Sequence, residues 1–340
     1  MAGDRRIPGT RPPSMHDVAL VAEVSHQTVS RVLNDHPYVT PKTRERVTRA
    51  IAELGYRRNP AARALATRRS RVLGVVTTGG SQFGPANTLL GIEEQARAAG
   101  YFVSLVSLPQ VDREQLRGAL EHLCAAGVDG VVVLAPVQAS VDAASGLSVG
   151  VPLVVVEGSA AEGHRTVVDQ SVGARLATRH LLELGHRTVH HVRGAADWLD
   201  ADARLQGWRS ELEQRGAAVP EVLCGNWSAA SGYAAGRRLA ADPEVSAVFV
   251  ANDQMAVGVL LALAEAGRGV PEQVSVVGYD DIPEAAFLTP PLTTVRQDFP
   301  EMGRRCVQRL TAMIDGQPAT REVSVAPDLV LRASTAPPPS

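Results

Sequence analysis

The stretch Ser25–Asn34, SHQTVSRVLN, sets seven polar side chains (Ser25, His26, Gln27, Thr28, Ser30, Arg31 and Asn34) around an apolar stripe of Val29, Val32 and Leu33. Such an array suits recognition of a polar partner by many hydrogen bonds better than it suits bond-making chemistry. A second group stands at the ends of apolar runs: Glu157 after Leu153–Val156, Asn252-Asp253 after Val248–Val250, and Asp280-Asp281 after Val274–Tyr279. Carboxylates accept from hydroxyl pairs, an amide donates and accepts, and Arg204 adds a two-pronged donor. Trp227 and Phe299 supply apolar faces for the C–H side of a pyranose. Each residue also has a plainer reading: Asn252 and Asp253 as helix caps, Asp280 as a turn residue, both aromatics as core.

Catalytic signatures are missing: there is no Gly-x-Ser-x-Gly elbow, phosphate loop, Gly-x-Gly-x-x-Gly turn or His-Glu-x-x-His pair. The adjacent pair His190-His191 lies in an apolar strand and is expected to point to opposite faces, which argues against a metal site. Cys124, Cys224 and Cys306 are far apart and odd in number, so neither a disulfide framework nor zinc is expected. No metal or cofactor is expected, and the chain reads as a non-enzyme.

These side chains need elements to hold them. In 340 residues, 45% of them hydrophobic, there is material for two or three domains. No run of about 18 apolar residues occurs, and the start is polar, so a cytoplasmic chain with no membrane partner is expected. The net charge of −2 conceals an asymmetry: residues 1–71 carry 14 Lys and Arg against 6 Asp and Glu, and the remainder 20 against 30. A small basic module joined to an acidic one points the first at a polyanion.

Residues 1–14 read as a disordered arm. A short helix follows Asp17 as its expected N-cap, Glu23-Val24 makes a turn, Ser25 caps a second helix, and Thr40-Pro41 opens a third that runs to Gly55. This spacing matches a helix-turn-helix unit. Beyond Val72, short apolar runs alternate with amphipathic stretches and the alternation restarts near Thr188. That predicts an α/β fold of two doubly wound parallel-sheet halves with a cleft between them. The Pro-rich tail 333–340 is expected to be disordered.

The segments MHDVALVAEVSHQTVSRVLN and TRERVTRAIAELGYRRNPAARALA, together with GNWSAASGY, VANDQMAVG, SVVGYDD and PPLTTVRQDF, resemble the lactose/galactose-repressor (LacI/GalR) family of bacterial transcription regulators, from Met15 to about Leu331. The resemblance implies an all-α headpiece over 15–58, a hinge helix and linker over 59–70, and an effector-binding, dimerising core over 71–332 that resembles periplasmic sugar-binding proteins. Within the core it implies a first subdomain of about 71–168 plus 299–326 and a second of 169–298 plus 327–332. It implies a homodimer on a near-palindromic operator, without the C-terminal helix that makes tetramers. By position, His26, Gln27 and Arg31 would face base edges, and Ser25, Thr28, Ser30 and Asn34 would hold phosphates. In a hinge helix, Asn59, Ala62 and Leu65 would meet the minor groove, with Leu65 as the wedge.

For the effector, the resemblance implies a sugar pocket formed by Thr78, Phe83, Pro85, Glu157, Arg204, Trp227, Asn252, Asp280, Gln297 and Phe299, with Gln82 and Thr88 at its entrance. Glu157 and Leu134 stand where a lactose-responsive member has Asp and Asn, and Glu23 stands where the family usually has Gly. The expected function is a repressor released from its operator by a mono- or disaccharide, galactoside-like or otherwise. The alternatives are a corepressor-dependent member of the same family and, further off, a sugar-processing enzyme using Glu157 and Asp280.

Overall fold

The computed structural model describes residues 13–57, 69–78, 82–108, 112–134, 137, 150–156, 165–318 and 322–339. The hinge residues Asn59, Ala62 and Leu65, the cleft residue Glu157, and residues 1–12 of the arm lie outside them, as does the side chain of Thr78. The chain forms two compact units, Met1–Ser70 and Arg71–Ser340.

In the first unit, α1 (Met15–Val21), α2 (His26–Leu33) and α3 (Pro41–Leu54) pack around Val18, Ala19, Val29, Val32, Val47, Ala50 and Tyr56. Helix α1 starts before the expected cap. Its N-cap is Ser14, whose hydroxyl accepts from the Asp17 N–H, while the Asp17 carboxylate accepts from the Ser14 N–H at 2.8 Å. Asp17 thus closes a capping box from inside the helix. Ser25 caps α2 by accepting from the Thr28 N–H at 3.1 Å, and Thr40 caps α3 with Pro41 in its first turn. Gly55 ends α3 at φ 60°, and Glu23, in the α1–α2 turn, has φ 49°, a conformation that glycine adopts at less cost.

The second unit runs β1 (Val72–Thr78), α4 (Phe83–Ala98), β2 (Phe102–Leu108), α5 (Arg113–Ala125), β3 (Gly130–Leu134), β4 (Leu153–Val156) and β5 (Arg165–Val168). It continues through α6 (Gln170–Glu183), β6 (His190–Arg193), α7 (Leu199–Gln214), β7 (Leu223–Cys224), α8 (Ala229–Ala240), β8 (Ala247–Val250), α9 (Asp253–Glu265), β9 (Ser275–Asp280) and β10 (Thr293–Arg296). It closes with α10 (Phe299–Ile314), β11 (Glu322–Val325) and β12 (Asp328–Val330). Two six-stranded sheets result, in the orders β11-β5-β4-β3-β1-β2 and β12-β10-β9-β8-β6-β7. All pairings between the described strands are parallel except β10 with β12. Apolar runs such as Gly130–Leu134, Ala247–Val250 and Ser275–Asp280 are buried along their whole length, as strands covered on both faces must be. The chain crosses between lobes at residues 169, 297–298 and 326–327, so α10 returns to pack on α4 in the first lobe. Gly91 and Gly303 permit that approach: a Cβ on Gly303 would lie 2.2 Å from the Gly91 backbone.

The tail is not disordered through residue 339. The Ser334 hydroxyl donates to Val276 O at 2.6 Å and accepts from the Thr293 N–H at 2.8 Å, and Ala336 exchanges hydrogen bonds with the Ser275 side chain. Extended Pro-rich chain fits this role because its few N–H groups are needed only where a partner stands.

Candidate functional site: a headpiece helix and an effector cleft

On α2 Val29 and Val32 are buried and Leu33 is half-buried, while Ser25, His26, Gln27, Arg31 and Asn34 are exposed, with Thr28 and Ser30 half-buried. Ser25 shares a hydrogen bond with the Thr28 hydroxyl at 2.9 Å, and Asn34 Nδ2 donates to the Ser30 hydroxyl at 3.4 Å. These four side chains are therefore partly engaged in holding the helix. Among the described residues, His26, Gln27 and Arg31 have no such partner, which leaves their donors and acceptors free for another molecule. Sequence reasoning passed over the loop after α2. There Tyr38 is 87% exposed with its ring 5.5 Å from that of His36, and Arg44 ties the loop down through Asp35 at 2.7 Å.

In the second unit a cleft opens between the carboxyl ends of the two sheets, where ligands of open parallel sheets bind. Phe83, Pro85, Arg204, Trp227, Asn252, Asp280, Gln297 and Phe299 all line it, as do Gln82, Thr88 and Leu134. Thr78 ends β1, and its side chain lies outside the described residues along with Glu157.

The polar floor is a closed ring. The buried Arg204 donates from Nε to Gln170 Oε1 at 2.9 Å, Gln170 Nε2 donates to Gln297 Oε1 at 2.9 Å, and Gln297 Nε2 donates to Asp280 Oδ1 at 2.7 Å. The guanidinium returns to Asp280 Oδ1 at 3.6 Å, donates to Ala251 O, and lies 3.8 Å over the Tyr279 ring. Burial raises Asp280 to about 6 despite the opposing pull of Arg204 and the Gln297 hydrogen bond. Asp200, four residues before Arg204 on α7, also lines the cleft; desolvation pushes its carboxyl up against Arg204.

Asn252 does cap α9, accepting from the Met255 N–H at 3.0 Å, and its amide also donates to Trp227 O at 3.1 Å. It is a cap and a cleft residue together. Trp227 has φ 72°, and its indole fills the space a Gly194 Cβ would need, 2.0 Å from Cη2. Asp280 has φ 110°. Two residues held in the left-handed half of the map at one site represent strain maintained by the surrounding structure. Trp227 Nε1 and Gln82 Oε1 are buried with no hydrogen-bond partner among the described residues, so both are available to a ligand.

The neighbouring acids do other work. Asp253 accepts from the Thr294 hydroxyl at 2.6 Å and the Ile282 N–H at 2.9 Å, and burial pushes it up to about 8. Asp281 pairs with Arg296 and Arg332. His191 is buried between the Trp208 and Phe249 rings, donates from Nδ1 to Phe249 O at 3.0 Å, and is lowered to about 3 by desolvation. It is a neutral core residue. Among the described residues no group of three His, Cys, Asp or Glu is placed to hold a metal, and no helix is long and apolar enough to cross a membrane.

Sequence reasoning missed Gln170, Trp198 and Asp200 as cleft residues. Asp200 was findable from its i,i+4 spacing to Arg204 on the same helix. Gln170 and Trp198 carried no such signal.

Comparison with known proteins agrees with both regions. A model of bacterial regulatory proteins of the lacI family matches residues 14–59, and a periplasmic binding protein-like domain matches residues 178–335. The lactose operon repressor of Escherichia coli (strain K12) is 33% identical over 328 residues, covering 96% of this chain and 91% of its own. The HTH-type transcriptional regulator CelR of Thermobifida fusca is 38% identical over 323 residues, 90% and 93% of the two chains. The HTH-type transcriptional repressor PurR of Haemophilus influenzae (strain PittEE) is 33% identical over 331 residues, 94% and 98%. Among solved structures, a lac repressor dimer bound to operator and the anti-inducer ONPF matches with a TM-score of 0.87 at 33% identity, over 96% of this chain and 100% of that one. A CelR–cellobiose complex matches with a TM-score of 0.71 at 33% identity, over 95% and 99%. With its helix-turn-helix headpiece and its two-lobed ligand cleft, the chain belongs to the lacI family and is a DNA-binding transcriptional repressor.

Proposed function

We propose that the protein holds a near-palindromic operator as a homodimer and that a small sugar in the cleft releases it. The observation that carries the sugar is the Arg204–Gln170–Gln297–Asp280 ring with Trp227 and Phe299 beside it: preformed acceptors and donors next to aromatic walls suit a polyhydroxylated ring. The cellobiose complex of a relative supports the same class. His26, Gln27 and Arg31 read base edges, and Ser25, Thr28, Ser30 and Asn34 fix the register on phosphates. Asn59, Ala62 and Leu65, outside the described residues, are included as minor-groove contacts on the family resemblance alone. Exposed apolar side chains on both lobes, among them Phe102, Leu105, Leu261 and Phe287, favour association with a second copy.

Release requires the sugar to bind the off-operator state more tightly, since equal affinity for both states shifts nothing. An operator selected from random duplexes, titrated with protein in the presence of mono- and disaccharides, tests this by fluorescence anisotropy. Weakening of operator binding by a sugar is expected. A sugar that binds the protein and leaves operator affinity unchanged overturns induction, and one that tightens it makes the protein corepressor-dependent. Sedimentation should give a dimer.

A further inference from the structure

We infer that the cleft selects a cationic sugar, a hexosamine with a free ammonium group, and that Asp200 is its counter-ion; the inference rests on the sugar reading above. Charge comes first. Among the described residues that line the cleft, Asp200 and Asp280 are acids and Arg204 is the only base. Arg204 is already committed: its guanidinium faces Asp280 at 3.6 Å, its Nε donates to Gln170 Oε1 at 2.9 Å, and its Nη1 donates to Ala251 O. Asp280 is held further by the Gln297 amide at 2.7 Å. That leaves Asp200 as the surplus charge, with no described residue hydrogen-bonded to or ion-paired with its carboxylate.

A carboxylate withdrawn from water without a cation is costly, and desolvation already pushes Asp200 up, with the field of Arg204 opposing it. A ligand cation removes that cost, whereas a neutral hydroxyl removes only part of it. The unpartnered polar atoms point the same way. Gln82 Oε1, buried and without a partner among the described residues, adds a second spare acceptor to the cleft. An ammonium donates three hydrogen bonds and accepts none, so it suits a site with acceptors to spare, and the buried Trp227 Nε1 is left to donate to a ring hydroxyl. The walls agree. Trp198 stands two residues before Asp200 and meets Trp227 edge-on at 5.4 Å and 62°. The Arg204 guanidinium lies over the Trp227 and Tyr279 rings, while no described cation lies over Trp198, whose face can receive an ammonium.

Isothermal titration of the full-length protein at pH 7 with glucose, galactose and mannose, with the corresponding 2-amino sugars, and with their N-acetyl derivatives tests the inference. Acetylation removes the charge and keeps the ring. At least one amino sugar is expected to bind about tenfold or more tightly than both its neutral parent and its N-acetyl derivative, where each factor of ten is about 1.4 kcal/mol. Asp200→Asn should weaken that amino sugar about tenfold more than its neutral parent, and Asp200→Glu should keep most of the preference. Melting temperatures close to the parent's confirm that the variants fold. Amino sugars that bind no more tightly than their neutral parents, or an Asp200→Asn variant that weakens both equally, overturn the cationic ligand and leave the sugar reading standing. Failure of every sugar to bind overturns the sugar reading itself, and the role of Asp200 with it.

Discussion

His26, Gln27 and Arg31 stand exposed on α2 with side chains that make no hydrogen bond to another described residue, whereas Arg204, Asp280 and Gln297 are buried and bonded in a ring. The headpiece keeps its recognition groups in water until a partner replaces the water, so folding is indifferent to them. The cleft desolvates its groups during folding and must satisfy them internally, so folding and binding draw on the same side chains. Substitutions should therefore separate binding from stability in the first region and couple them in the second.

The largest effect is expected from Arg204→Ala. It leaves Asp280 buried without its cation and should cost about 3 kcal/mol in urea unfolding of the core, together with loss of sugar binding. Full parental stability would break the contrast. Arg31→Ala should cost roughly 1–3 kcal/mol of operator discrimination, measured by anisotropy against a mismatched duplex, with unfolding unchanged.

Protonation provides a third comparison. Asp280, raised to about 6, is ionised above that pH, and under the proposed sugar reading its carboxylate would accept hydroxyls most strongly there. Affinity should fall about tenfold between pH 7.5 and 5, and Asp280→Asn should flatten the profile. Ser25→Ala removes the cap of α2 and should destabilise the headpiece by about 1 kcal/mol, read by circular dichroism. Smallest is a gain: Glu23→Gly, relieving φ 49°, should stabilise the headpiece by about 0.5 kcal/mol.

How legible each region was in the sequence follows from the range of the interactions involved. Ser25, Thr40 and Gly55 declare the headpiece helices because caps act within one turn. The start of α1 was misread because Asp17 resembles a cap but serves Ser14 from inside the helix. The apolar run Leu153–Val156 matches the observed strand to the residue, since burial on both faces demands unbroken apolar sequence. Short edge strands such as β7 and β12 left no such trace.

In the cleft, Arg204, Asp280 and Phe299 were named from residue type and family resemblance, and Trp198 and Gln170 were not, because nothing local marks a residue whose partner lies far along the chain. The tail shows the same limit. Its Pro-rich composition suggests disorder, yet Ser334 and Ala336 find Val276, Thr293 and Ser275 some 40 to 60 positions away. Sequence alone determined the local periodicities, the caps, the charge asymmetry between the two parts, and the alternation that builds two parallel sheets, all set by interactions within a few residues. Tertiary structure decided which polar side chains close into a ring, which aromatics meet at the mouth of the cleft, and that the tail docks. Those outcomes depend on desolvation and on contacts between distant segments, which exist only once the chain has folded.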